Sequence, residues 1–384
     1  MKIKVKPEDF IVKEIIDLPF SRKGPYTILK LEKKYWNTLD VIDFIARRLS
    51  VSKKLFSRAG LKDRYSLATQ YLSFKGNFVH AIQEKNFSLT PIGRSTQPIL
   101  PHLMRGNEFF ITLRSVENKE IDRIVENYPG LLTFGLPNYF DEQRFGSARH
   151  RKGFFAKSLM LGHYNGALKL LLCYPYRQDS KSEKEFKNYM LANWGNLQTC
   201  SHLAPPFYKR IVTYLIKNPN DHKNAIKVID RDILNIYLLA YQSYLFNQTL
   251  IGVIEKHGVD CVSIPYLVGH LLFYKKLKND HHTLESLKIP MISESTKLNG
   301  FVGEIINSIL REEAISINDF ALRKMRFRGV RFKSFLRAAF IFPKNFTLGK
   351  IEKDEIYKNR IKIKIRFILP PGSYATVLIK RLLI

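Results

Sequence analysis

A carboxylate between two cations, shortly after a glycine, is the feature of this chain best suited to chemistry. Asp63 lies between Lys62 and Arg64, Gly60 precedes them, and a run of strand type begins at Thr69. Glycine lets a ligand approach the backbone closely, and nearby positive charge favours an ionised carboxylate. Asp63 is therefore a candidate nucleophile or base acting on a polyanion. A surface turn in which Asp63 forms an ordinary ion pair is the alternative interpretation, and it stays open at this point.

A second stretch, residues 138–146, is dense in planar groups and reads Asn-Tyr-Phe-Asp-Glu-Gln-Arg-Phe-Gly. An amide can bond the edge of a base while a ring stacks on its face, which is how proteins read a flipped base. The stretch is thus a candidate base-binding site. A core segment with two buried phenylalanines explains it equally well when it is considered alone.

Motifs of other chemistries are weak or missing. The run Asp-His-His at 280–282 is similar to motifs of metal phosphoesterases, but it has no companion Asp or His clusters at helpful spacing. A solvated loop is the favoured interpretation. The sequence contains no Gly-x-x-x-x-Gly-Lys-Ser/Thr phosphate loop and no Gly-x-Ser-x-Gly elbow. Among the chemistries considered, catalysis by the single carboxylate of Asp63 is the one that remains.

The charge of the chain indicates a polyanionic partner. The 384 residues include 63 Lys plus Arg against 34 Asp plus Glu, a formal net charge of +29. Such an excess is typical of nucleic-acid binding, although a generally Lys-rich protein is the alternative. The three cysteines are far apart, and no apolar run reaches the ~18 residues that a membrane span needs. We expect a cytoplasmic protein with no membrane contact.

Hydrophobic periodicity predicts an α+β protein. Strands are predicted at 2–6, 26–30, 105–114 and 361–368, with further strand character near 326–341. A helix is predicted to start with Thr38 as its N-cap and to end near Ser50. Helical spacing dominates from 153, over 159–172, 225–238, 239–257 and 301–312. The predicted domains are therefore 1–150 with 336–384, built from both chain ends, and a mostly helical domain, 151–335, inserted between them.

The two stretches, taken together, resemble the TruD family of pseudouridine synthases. Gly-x-Lys-Asp-Arg-x-x-x-x-Thr-Gln at 60–70 and Asn-Tyr-Phe-x-x-Gln-Arg-Phe-Gly at 138–146 are similar to the two hallmark motifs of that family. Further similar blocks are Lys4 with residues 7–14, residues 105–109, residues 241–247 and residues 369–376. The blocks occur in the family order and span nearly the whole chain. One departure is Asp141, which stands where the family usually has glycine.

The resemblance implies a fold and a reaction. The fold would be a pseudouridine-synthase catalytic domain with a mixed, largely antiparallel sheet, and an inserted TRUD domain. The reaction would isomerise a uridine of RNA, usually uridine 13 of tRNA, to pseudouridine without redox cofactor, nucleotide or metal. Asp63 would be the catalytic residue, as nucleophile or as the base that takes the C2′ proton, and Lys4 would hold it ionised.

The resemblance also implies substrate-binding residues. Phe10, Phe140 and Tyr374 would stack around the flipped uracil, Asn138 would bond its edge, and Arg144 would bind phosphate. The expected partner is tRNA, with no obligate protein partner evident. Two alternatives stay open: a non-catalytic RNA-binding or remodelling protein on the same scaffold, and a metal-dependent nuclease that uses the two adjacent histidines.

Overall fold

The computed structural model describes residues 1–149, 152–176, 179–278, 284–323, 325 and 327–384. The chain forms two compact units. Unit 1 consists of both chain ends, Met1–Gly135 and Ile341–Ile384, and unit 2 consists of Leu136–Phe340. The domain boundaries expected from the sequence, at 150/151 and 335/336, stay a prediction.

Unit 1 is built on a nine-stranded mixed sheet. Its strands are β1 (Phe10–Ile16), β2 (Tyr26–Lys33), β3 (Phe56–Arg58), β4 (Leu67–Lys75), β5 (Ile82–Glu84), β6 (Phe87–Ser95), β7 (Met104–Val116), β18 (Lys344–Lys353) and β19 (Ile361–Leu369). The order is β18-β19-β7-β1-β4-β2-β6-β5, and β3 pairs with β4. Strands β1 and β4 are parallel, and the other neighbours are antiparallel. The predicted mixed, largely antiparallel sheet is confirmed.

Helices cover the sheet because one face of its strands is apolar. Helix α1 (Thr38–Arg48) buries Val41 and Ile45 in a core that also contains Leu29 and Leu31 of β2. Helices α2 (Asn118–Phe134) and α11 (Ala375–Leu382) pack together. In β19 the buried side chains alternate with exposed Lys364 and Arg366, as a half-buried strand requires.

Two local predictions in unit 1 are wrong. Residues 2–6 do not form a strand: Lys4 has a φ of 57°, which breaks the extended chain, and Lys2 makes only an isolated bridge to Arg114. A short 3₁₀ helix follows at Pro7–Asp9. Thr38 is the first helical residue and Asn37 is the N-cap. The hydroxyl of Thr38 is used instead inside the fold, where it donates to Gln70 Oε1 over 2.7 Å.

Unit 2 is mostly helical, as predicted. Its helices are α3 (Phe155–Met160), α4 (Tyr164–Leu172), α5 (Lys181–Ala192), α6 (Leu197–Cys200), α7 (Pro206–Lys217), α8 (His222–Lys227), α9 (Arg231–His257) and α10 (Gly300–Glu312). Its short strands are β8 (Leu136–Pro137), β9 (Ala148–Arg149), β10 (Gly153–Phe154), β11 (Gly258–Val259), β12 (Val262–Tyr266), β13 (Gly269–Phe273), β14 (Lys276–Leu277), β15 (Lys288–Pro290) and β16 (Leu336–Ala338), and β17 (Phe340–Ile341) leads back into unit 1.

Helix boundaries in unit 2 differ from the periodicity at two points. The helix predicted over 159–172 is interrupted between α3 and α4, where Gly162 has a φ of 79°. The two helices predicted over 225–238 and 239–257 are replaced by α8 and the long α9. Strand structure near 326–341 is confined, in the described residues, to β16 and β17. Within the described ranges, none of the helices is both long and apolar enough to cross a membrane.

Candidate active site

Unit 1 brings three of the predicted site residues together. The ammonium of Lys4 donates to Asp63 Oδ2 over 2.7 Å and lies 4.3 Å from the ring centre of Phe10. The Lys4 and Asp63 side chains are 25% and 31% exposed, so a solute can reach the pair. Lys4 adopts the left-handed backbone conformation, which costs a non-glycine residue about 1–2 kcal/mol. The residue with this strained backbone is thus the one whose side chain contacts the candidate catalytic carboxylate, and such strain is often found at functional sites.

The lysine next to Asp63 in the sequence, Lys62, lies in a buried ion pair. Lys62 Nζ donates to Glu14 Oε1 over 2.9 Å and to Asn107 Oδ1 over 2.7 Å, and both the Lys62 and the Glu14 side chains are almost fully buried. The Lys62 ammonium is thus bound in an ion pair with Glu14 of β1 and in a hydrogen bond to Asn107 of β7. The ammonium found on Asp63 is that of Lys4, 59 residues away in the chain.

Buried side chains also hold the backbone of the loop that carries Asp63. The Lys62 N–H donates to Thr38 Oγ1 over 3.2 Å. Lys33 Nζ donates to the carbonyl oxygens of Trp36 (2.8 Å), Lys62 (3.1 Å) and Asp63 (2.8 Å). Lys33 was not among the site residues predicted from the sequence. The sequence sign of Lys33 was a charged residue at a position of β2 whose side chain is expected to be buried, two residues after Leu31 and four after Leu29.

The segment that carries Lys4 and Phe10 is anchored by a second buried ionic cluster. Arg114 Nε donates to both carboxylate oxygens of Asp9 over 2.8 Å, and Arg114 Nη1 donates to Asp354 Oδ1 over 3.1 Å. Burial alone would raise the pKa of Asp354, but backbone N–H donors and Arg114 outweigh it, so the pKa of Asp354 is lowered. The cluster joins the segment before β1 to the turn between β18 and β19.

Unit 2 brings Asn138, Phe140 and Arg144 together around Arg337, a second residue that the sequence analysis missed. Arg337 Nη2 donates to Asn138 Oδ1 over 2.7 Å and to the Asn138 carbonyl over 2.9 Å. Its guanidinium lies 4.1 Å from the ring centre of Phe140, and that of Arg144 lies at 5.6 Å. Asn247 bonds both the N–H and the carbonyl of Phe140, over 2.9 and 2.8 Å. The only sequence signal for Arg337 was a cation inside an apolar run.

Among the described residues, the partners of the Asn138 amide leave part of its hydrogen-bonding capacity unused, although the residue is only 4% exposed. Its Nδ2 donates to the carbonyl of Ala338 over 3.0 Å, and its Oδ1 accepts from Arg337. These bonds use one of two donors and one of two acceptor positions. Asp141, the departure from the family pattern, has a φ of −94° and a ψ of 174°, an extended conformation that any residue adopts. The turn therefore needs no glycine at this position.

The remaining predicted residues lie as follows. Tyr374 is the N-cap residue of α11 in unit 1 and is half-buried, and its place at the substrate stays a prediction. The Asp-His-His run at 280–282 lies outside the described residues. In the ranges that are described, no group of three or more His, Cys, Asp or Glu side chains could hold a metal ion.

Comparisons with known proteins agree with these motifs. The family model of tRNA pseudouridine synthase D (TruD) matches residues 1–382. The probable tRNA pseudouridine synthase D 2 of Methanocaldococcus jannaschii is 35% identical over 99% of this chain and 91% of that protein. The tRNA pseudouridine synthase D of Aquifex aeolicus is 30% identical over 100% of this chain and 98% of that protein. A crystal structure of a Methanosarcina mazei protein assigned as tRNA pseudouridine synthase D superposes with a TM-score of 0.73 at 27% identity, covering 99% of this chain and 93% of that one.

Proposed function

This chain belongs to the TruD family of tRNA pseudouridine synthases, and we propose that it isomerises uridine 13 of tRNA with Asp63 as the catalytic carboxylate. Family membership makes the protein an isomerase that acts on uridine in tRNA. The position in the tRNA and the role of the aspartate are the proposed parts. The observation that carries the second part is the contact of Lys4 with Asp63, which is partly open to solvent on a loop held by buried groups.

The proposed reaction changes two bonds to C1′ of the ribose. The bond from C1′ to N1 of uracil breaks, the base turns, and a bond from C1′ to C5 forms. C5 loses its proton and N1 gains one, so no other reactant is consumed. Asp63 acts either as a nucleophile or as the base that removes the C2′ proton. Its charge-assisted hydrogen bond to Lys4 stabilises the ionised carboxylate that both routes need.

We propose base-binding roles for Phe10, Phe140, Tyr374 and Asn138, as the family resemblance implies. One face of Phe10 is covered by the Lys4 ammonium, and Phe140 has the Arg337 guanidinium against it. Both phenylalanines are only 4% exposed, so a uracil that contacts either ring would reach only the small part of it that is left open. The donor and acceptor positions of the Asn138 amide that have no partner among the described residues match the alternating polar groups at the edge of uracil.

Binding of the tRNA backbone is proposed to depend on the positive charge of the chain. A net charge of +29 attracts phosphates over long range, and Arg144 is proposed to contact one of them. The affinity should then fall steeply as salt is raised, because each neutralised phosphate releases counterions. A tRNA substrate also leads us to propose the cytoplasm as the site of action.

The proposal is tested by tritium release from tRNA labelled at C5 of uridine, since C5 loses its hydrogen in the reaction. Wild type, Asp63→Asn and Asp43→Asn are compared in buffer with a chelator. Asp43 is a matched control, because it forms an exposed ion pair with Lys53. We expect equal release from wild type and Asp43→Asn and none from Asp63→Asn, with unchanged tRNA affinity. Unchanged release from Asp63→Asn would refute the catalytic role. Cleavage of the tRNA strand without tritium release, seen in a parallel reaction that lacks the chelator, would favour the nuclease alternative.

A further inference from the structure

A lysine ammonium is buried directly beneath the loop of the candidate active site. Lys33 is 1% exposed, and its three hydrogen-bond acceptors are backbone carbonyl oxygens, at distances of 2.8 to 3.1 Å. Two of these carbonyls belong to Lys62 and Asp63, the third to Trp36. A protonated amine has three N–H donors, so the three carbonyls match its capacity. Lys33 thus connects the end of β2 to the residue that carries the proposed chemistry.

The arrangement depends on charge as well as on size. A neutral amine has two N–H donors, so one of the three carbonyls would lose this donor, which is costly for a largely buried group. The Asp63 carbonyl also accepts from Ser66 Oγ over 2.9 Å. The loss would therefore weigh most on the carbonyls of Lys62 and Trp36. The nitrogen lone pair of the neutral amine would then face a carbonyl oxygen, which repels it. An apolar side chain of similar length would leave all three carbonyls without this donor. The loop conformation at Asp63 is therefore linked to the protonation of Lys33.

We propose that Lys33 is a positioning residue for the isomerisation: its ammonium fixes the carbonyls of Lys62 and Asp63 and so aims the Asp63 carboxylate at Lys4. The proposal rests on the proposed function, because it takes Asp63 as the catalytic group. It assigns Lys33 no contact with the substrate.

The charges around Lys33 determine the pH at which this support is lost. Burial lowers the pKa of Lys33 from the usual 10.5 to about 8, the nearby Asp63 and Asp40 carboxylates act in the opposite direction, and the Lys62 ammonium adds to the lowering. The Lys62 ammonium is itself paired with Glu14. Loss of the Lys33 proton above pH 8 is therefore expected to loosen the loop while the protein stays folded.

The test compares Lys33→Met, Lys33→Arg and the control Lys30→Met. Lys30 lies on the same strand, and its ammonium forms an exposed pair with Glu32. For Lys33→Met we expect kcat to fall by about 100-fold with KM within threefold of wild type, as a misplaced catalytic group predicts. Wild-type kcat should decline above pH 8. Lys33→Arg, which keeps its charge, should retain more activity than Lys33→Met and should lose that decline. Lys30→Met should match wild type.

A second measurement separates the failure of this inference from the failure of the proposed function. Amide hydrogen exchange of residues 61–66, followed by mass spectrometry, needs no substrate. Faster exchange in Lys33→Met than in Lys30→Met supports the positioning role even if no tRNA is modified. The inference is overturned if exchange of this loop is unchanged, if folded Lys33→Met keeps kcat within threefold, or if Lys33→Arg shows the same alkaline decline as wild type. If Lys33→Met does not fold, the dependence of kcat on pH in Lys33→Arg tests the inference instead: loss of the alkaline decline supports it, and an unchanged decline overturns it.

Discussion

Replacement of Lys62 by methionine tests how the loop of Asp63 is built. In the wild type the Lys62 ammonium neutralises Glu14, whose side chain is 0% exposed. The Glu14 Oε2 atom also accepts the Tyr71 N–H over 3.0 Å, and this bond survives the change. Removal of one partner of a buried ion pair costs about 3–5 kcal/mol. Protonation of the stranded carboxylate at pH 7 costs roughly 4 kcal/mol and so limits the penalty. We expect a loss of about 3–4 kcal/mol at pH 7.

The loss should depend on pH in a defined direction. In Lys62→Met the folded state favours a protonated Glu14 more than the unfolded chain does, so the folded state binds more protons. Its stability relative to wild type therefore rises as pH falls, by up to about 1.4 kcal/mol per pH unit between pH 7 and 5. The double variant Lys62→Met/Glu14→Gln should regain most of the stability at pH 7, because the neutral amide still accepts the Tyr71 N–H and can donate to Asn107.

The assay is urea unfolding followed by tryptophan fluorescence. The chain has two tryptophans, Trp36 in unit 1 and Trp194 in unit 2. In a Trp194→Phe background, Trp36 reports unit 1, where its ring packs on Phe44 and Phe87 at 5.5 and 5.3 Å. At about 2 kcal/mol per molar urea, the expected loss lowers the midpoint by roughly 1.5–2 M. A midpoint within about 0.3 M of wild type, or a deficit that is the same at pH 5 and pH 7, would refute the reasoning.

Three further predictions follow from the other buried cations. Arg337→Met should lower kcat/KM about 10- to 100-fold, because Asn138 loses its orienting donor and Phe140 loses the nearer of its two cations. Arg337→Lys should not restore kcat/KM, since a lysine lacks the planar fork. Equal kinetics of wild type and both variants would contradict this role. Arg114→Met should lower the free energy of unfolding by about 3–5 kcal/mol, because two buried carboxylates lose their cation, and an unchanged urea midpoint would refute it. Burial lowers the pKa of Lys33 to about 8, so between pH 8 and 10.5 the unfolded chain binds a proton that the folded state lacks. The stability of wild type relative to Lys33→Met should then rise with pH by up to about 1.4 kcal/mol per unit, and a flat difference in urea titrations would contradict it.

The fold was predictable where the sequence carries a periodic apolar pattern. Strand β19 alternates buried and exposed residues from Ile363 to Phe367, and helix α1 buries one stripe. Residues 2–6 have the same alternation, yet Lys4 takes a left-handed conformation there. In this conformation Lys4 contacts Asp63, which is distant in the sequence. No local pattern of residues 2–6 encodes that contact.

The candidate site was predictable as a set of residue types in motifs, but its supporting contacts were not. Lys33 meets the Asp63 carbonyl across 30 positions, and Arg337 meets Asn138 across 199. Such pairs arise only when strands and loops distant in the sequence come together. A single cation in an apolar run was the one local sign of both residues, and many surface lysines give the same sign in a chain this basic.

The most direct test of the account maps pseudouridine at single-nucleotide resolution in one transcribed tRNA after incubation with wild type or Asp63→Asn. A matched transcript with cytidine at position 13 serves as the substrate control. We expect wild type to form pseudouridine at position 13, Asp63→Asn to form none, and the cytidine transcript to stay unmodified. Modification by Asp63→Asn, or wild-type modification only at other uridines, would contradict it.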